Sequence, residues 1–162
     1  MRTDELTRTL DNLFGELMHG TSGQGGFMLN AGDRGLLRSL ERLSSAEASA
    51  RTSTGSSIAA HVDHVRYGLS LLNRWSQGEN PFNNADWAAS WQKTTVSEAE
   101  WEALRIGLRD EAARWLVVLR TPREVQDIEL GGMIGSIAHL AYHVGAIRQI
   151  NPSVRGPAEG AR

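Results

Sequence analysis

Five histidines, at positions 19, 61, 64, 139 and 143, are the residues of this chain best suited to chemistry, and four of them fall in two tight pairs. His139 and His143 stand four residues apart, which on a helix puts both imidazoles on one face, about one turn apart. That spacing suits two ligands of one metal ion, since neutral imidazole binds Zn, Ni, Cu and Fe. The chain has no cysteine, so a metal site must be built from imidazole, carboxylate or water, and no disulfide framework or thiolate nucleophile is available. A third imidazole from the His61/His64 pair would complete a three-histidine site with a position open to water or substrate, as catalytic zinc centres keep. The competing reading is packing, with each histidine at a bundle rim satisfied by a carbonyl or water. Two inward pairs in one short bundle are hard to explain that way, because buried imidazole needs hydrogen-bond partners.

The pairs need helices to hold them, and helical periodicity recurs along the chain without any sustained strand alternation. A first long helix is expected from about Thr3 to His19, on the stripe Leu6, Leu10, Leu13 and Leu17, and the glycine-rich run at 20–26 breaks it. A short extra helix starts at Asp33 and carries Leu36, Leu37, Leu40 and Leu43, and Ser44 to Ser57 reads as a crossover connection. The second long helix, from near Ser56 to Gln77, has Ile58, Val62, Val65, Leu69 and Leu72 on one stripe. His61 lies nearer its centre and His64 at its edge, so periodicity mildly prefers His61 as the inward residue. The third begins at a capping box, Ser97 with Glu100, and ends at Thr121-Pro122. The last runs from about Asp127 to Ile150, its Met133, Leu140, Val144 and Ile147 flanked by His139 and His143. Four long amphipathic helices bury their stripes as an all-α four-helix bundle, with a long crossover between the first and second. Residues 1–152 form one domain in this reading, and 153–162, with no core-forming residues, form a frayed tail.

Composition narrows the function. A net charge of −2 leaves no electrostatic footprint for nucleic acid, no run approaches the roughly 18 consecutive apolar residues of a membrane span, and the acid-bearing N-terminus does not read as a secretory signal. A cytoplasmic, non-membrane protein is expected. The glycines at 20–26 do not follow a strand and no GxSxG elbow is present, which removes phosphate-loop and serine-hydrolase readings. The 78–96 segment reads as an ordered loop whose Phe82, Trp87 and Trp91 cap the apolar end of the bundle or, alternatively, line a pocket beside the metal. Ile134, Ala138, Ala141 and Gly145 form a stripe of mostly small side chains that suits close helix approach, within the bundle or across a dimer. Tyr142 points away from the histidines, and no carboxylate, Asp63 and Glu129 included, stands out as a general base.

Two segments, SIAAHVDHV at 57–65 and HLAYHVGAIRQ at 139–149, resemble the second-helix histidine and the closing HxxxH-Gly-Gln pattern of the DinB-like superfamily, also called the YfiT-like metalloenzymes. The resemblance spans the chain in helix order. It implies a four-helix bundle of up-down-down-up topology, a homodimer, and a divalent ion (Zn or Ni first, Fe next) on His64, His139 and His143. It thus takes His64, six residues after Ile58, where periodicity prefers His61. It further implies a thiol S-transferase or hydrolase, with a low-molecular-weight thiol as small-molecule substrate. The alternative is a non-catalytic metal-binding or stress-associated module that works through dimerisation or partner binding.

Overall fold

The structure is a computed structural model that describes residues 3–52 and 55–158 of the 162-residue chain. Helices α1 (Thr3–His19), α2 (Gly35–Leu40), α3 (Ser45–Ser49), α4 (Ile58–Ser76), α5 (Glu98–Arg120) and α6 (Asp127–Ile150) carry the fold, and no strand forms among the described residues. The four long helices lie where periodicity expects them. The serine-rich stretch after residue 43, expected as plain connection, contains α3, which is closed by its own capping box between Ser44 and Glu47.

Each long helix packs against two others: α1 against α5 and α6, and α4 against α5 and α6. Side-chain pairings fix their directions. On α4 and α6, His61 meets His143, His64 meets His139, and Trp75 lies against Gly132, so these helices are antiparallel. On α4 and α5, Arg66 lies against Gly107 and Asn73 bonds Glu111, so these run parallel. The C-terminal ends of α1 and α6 share one end of the bundle, where Gly20 abuts Asp33 and Asp33 pairs with Arg148 at 2.9 Å. The order is therefore up-down-down-up.

Parallel α4 and α5 have a consequence the sequence reading lacked. Residues 77–97 must travel back along the whole of α4, about 28 Å for its 19 residues. They form a second crossover, a strap that includes two short 3-10 helices, Pro81–Asn84 and Ala89–Trp91. Phe82 packs on Trp75, Trp87 on Tyr67, and Trp91 on His61 and His64, so the strap descends α4 in reverse order. The loop aromatics thus cover the side of the bundle, not its apolar end.

One continuous core draws on all four long helices and centres on Phe14, Trp101, Leu108, Trp115, Leu119 and Leu140. Trp101 and Trp115 are fully buried because their indole N–H groups find acceptors, the Leu43 carbonyl at 2.8 Å and the Ser136 hydroxyl at 2.9 Å. The expected frayed tail is corrected over residues 153–158. Val154 is 1 % exposed within a further 3-10 turn, Arg155 donates to the Arg148 carbonyl and the Asn30 amide donates to the Pro157 carbonyl; residues 159–162 lie outside the described residues. The small stripe on α6 faces outward, with Ile134, Ala138 and Gly145 exposed. By length and composition α6 could cross a membrane, contrary to the expectation from apolar runs, but its Met133, Ile137, Leu140, Val144 and Ile147 belong to the core.

The glycine-rich break is held by one side chain. The Glu16 carboxylate accepts from the backbone amides of Phe27, Met28 and Leu29 at 2.6–2.9 Å. Gly20 (φ +91°) and Gly35 (φ +73°) touch backbone to backbone, and a Cβ on Gly20 would lie 2.1 Å from the Asp33 carbonyl oxygen. Glu16→Ala would strip three amides of their acceptor. It should cost about 2 kcal/mol in urea unfolding and open 20–32 to limited proteolysis, whereas an unchanged midpoint and digestion pattern would contradict this anchoring role.

Candidate metal centre

Ser57 starts α4 by accepting from the Ala60 amide, which sets the phase that turns both His61 and His64 inward; each is 8 % exposed. From α6, the i, i+4 pair meets them, with His143 buried and His139 half-buried. Nε2 of His139 lies 3.1 Å from Nε2 of His64 and 2.9 Å from Nε2 of His143. Ligand atoms of His64, His139 and His143 all lie within 4.8 Å of one another, the only such group of candidate metal-ligating side chains among the described residues. A tetrahedral ion with bonds near 2.0–2.1 Å needs nitrogens about 3.3 Å apart, so the two edges that meet at His139 must open by only a few tenths of an ångström to hold one.

The outer nitrogens explain the orientation. The Ser90 hydroxyl donates to the Trp87 carbonyl at 2.7 Å, so its oxygen can only accept from Nδ1 of His64, 2.8 Å away. That places the His64 proton on Nδ1 and leaves the Nε2 lone pair facing the triangle. Nδ1 of His143 lies 2.8 Å from Nδ1 of His61, and a lone pair on its Nε2 requires it to donate to His61. His61, the residue periodicity preferred as inward, is indeed buried, but its bonded nitrogen meets the back of His143 and stays out of the triangle. Trp91 stacks on His64 at 4.3 Å and meets His61 edge-on at 5.1 Å, closing the outer side.

Burial keeps these rings neutral. It is the main force pushing His64 down to about 4, aided by His139 and His61 and opposed by Asp63. It likewise lowers His143 to about 3, with His139, His61 and His64 adding to it, and lowers His61 and His139. Neutral imidazole is the form a metal ion requires. Neither nearby carboxylate enters the group: Asp63 is held by Arg66 at 2.7 Å and Glu129 by Arg123 at 3.3 Å.

His64 and His139 also wall one end of a cavity of about 430 Å³ between α4 and α6, roofed by Phe82 and Trp87 of the strap. Three contributors were not singled out as functional by the sequence reading: Ser90, Gly68 and Gly135. Ser90 carries no motif, and its role depends on where the strap lands. Tyr142, expected to point away from the histidines, is 66 % exposed, yet its ring stands at right angles to that of His143 with centroids 5.0 Å apart.

Two outcomes follow from this geometry. His61→Leu removes the acceptor behind His143 and should weaken Zn²⁺ or Ni²⁺ binding by about 10–100-fold in chelator competition, with partial recovery in His61→Gln. The depressed histidines also make stability pH-dependent. The folded state binds fewer protons than the unfolded state below about pH 6.5, so stability present above that pH is lost as pH falls toward the folded values of about 4 and 3. The urea midpoint of the metal-free protein should therefore drop between pH 7 and pH 5, and drop less in His143→Gln; equal drops in both would show that His143 is not held neutral.

No family model matches the chain, and no curated protein or solved structure matches it, so the function of the centre has to be read from its own atoms.

Proposed function

We propose that this chain binds one divalent ion, Zn or Ni first and Fe next, through His64, His139 and His143. We further propose that it is a DinB-like, metal-dependent enzyme of the thiol S-transferase or hydrolase class. The observation that carries the metal reading is the convergence of three neutral imidazole nitrogens, those of His64 and His143 buried and oriented from behind by Ser90 and His61. The observation that favours catalysis over a purely structural ion is the ligand count. Three protein ligands leave a coordination position free, whereas structural zinc sites are closed by four.

The chain's own groups divide the work. His64 and His143 are fixed by hydrogen bonds on both sides, and the half-buried His139 bridges them. Trp91 and Trp87 limit the access of water from the strap side. A divalent ion held there supplies Lewis acidity that lowers the pKa of a thiol or water in its open position. The resemblance to the DinB-like superfamily supports the reaction class, and the cavity beside the histidines supports a small-molecule substrate. The homodimer the resemblance implies would use the exposed face of α6, where Ile134 and Tyr142 stand beside Ala138.

Metal analysis of protein purified without a histidine tag tests the first step: about one equivalent per chain is expected, falling to background in His139→Ala. Less than about 0.2 equivalents, with no thermal stabilisation by Zn²⁺ or Ni²⁺, would sink the metal site. Retained metal without turnover in thiol-conjugation and hydrolysis screens would point to the non-catalytic module instead.

A further inference from the structure

We infer that the cavity under the strap is the body-binding half of the site, shaped for a ligand with an uncharged, largely apolar body whose donor end reaches the three histidines. This rests on the metal reading proposed above and adds the class of molecule. The walls are Val65, Leu69, Leu72 and Leu140 with Phe82 and Trp87 as roof, and among the described residues the only ionisable side chains lining the cavity are His64 and His139. Nε2 of His64 and Nε2 of His139 lie 3.1 Å apart and face each other at the triangle, and no Lys, Arg, Asp or Glu lies on the wall among the described residues. The one hydroxyl on the wall among the described residues, that of Ser136, has already given its proton to the Met133 carbonyl and accepts from Trp115. A charged group held against these walls, away from the ion, loses its hydration and finds no counter-charge, while an apolar body gains by leaving water. The geometry therefore selects against carboxylates, phosphates and sulfonates in the body of the ligand.

Two glycines set how large that body can be. A Cβ on Gly135 would meet nothing within 4 Å, so its place in α6 is open space on the cavity wall. A Cβ on Gly68 would sit in ordinary contact, 3.7 Å from the Trp87 ring and 3.8 Å from the His139 ring, at the passage from the cavity to the histidines. Glycine inside a helix costs about 1 kcal/mol relative to alanine, so neither substitution should harm the fold. Gly132 is different, because a Cβ there would press within 2.9 Å of Trp75. Gly135→Leu fills the cavity from its wall, and Gly68→Ala narrows the passage.

Thiols make suitable probes, because the sulfur binds the ion while the body is varied. The Co²⁺-loaded protein should bind benzyl mercaptan at least about tenfold more tightly than 2-mercaptoethanesulfonate, read from the cobalt spectrum and tryptophan fluorescence. Gly135→Leu should abolish that preference with Co²⁺ affinity unchanged, and Gly68→Ala should reduce it. Equal affinity for the two thiols, or a preference that survives both variants, overturns the inference. A protein that takes up no Co²⁺ refutes the metal reading instead. Toluene then tests the cavity in metal-free protein: fluorescence-detected binding that Gly135→Leu removes supports the apolar body site, and no binding refutes it.

Discussion

The parallel packing of α4 on α5 is the constraint on which the rest of the structure depends. Antiparallel neighbours can be joined by a few residues, but parallel ones force the chain to return the length of a helix before it can start again. Residues 77–97 make that return, and they make it over the groove between α4 and α6. The topology thus brings Trp91 onto His64, Ser90 behind it and Trp87 over the cavity. At the strap's far end the Ser49 hydroxyl accepts from the Val96 amide at 3.0 Å, and the Ser97 capping box starts α5 at once. The strap is pinned there by α3, an element too short to show in periodicity.

What was legible in the sequence was whatever repeats with the helical period or ends in a recognisable cap. The four long helices, the Ser97 start and the Thr121-Pro122 stop are of this kind. The histidine pairs were legible for the same reason, since i, i+4 spacing on α6 and i, i+3 on α4 fix which faces they share. Periodicity could not say which of His61 and His64 enters the triangle. Both are equally buried, and the choice turns on the rotation of α4 against α6, a property of the packed pair. The strap was read as ordered, but its path depends on helix direction, which no local pattern records. Glu16 shows the same limit, since its three amide partners lie beyond a glycine-rich break. Val154 was missed because a lone valine among polar neighbours has no period, although the end of α6 delivers it into the core.

The charge balance of the centre links its outer hydrogen bonds to the cavity beside it. Metal-ligating histidines commonly donate their second nitrogen to a carboxylate, which raises ligand basicity and offsets the charge of the ion. Here the partners are another imidazole and a serine hydroxyl, both neutral, and the carboxylate that acts on His64, Asp63, is turned to Arg66. Without metal this arrangement is consistent: four uncharged rings can be buried together, and desolvation keeps them uncharged. With a divalent ion, three neutral ligands leave two positive charges uncompensated in surroundings that offer the ion no carboxylate. An anionic donor atom in the open position is then strongly favoured, and an anion elsewhere on the same ligand is not, because the cavity walls hold nothing to pair it with. A ligand whose ionisable atom sits at one tip of an apolar body meets both conditions at once.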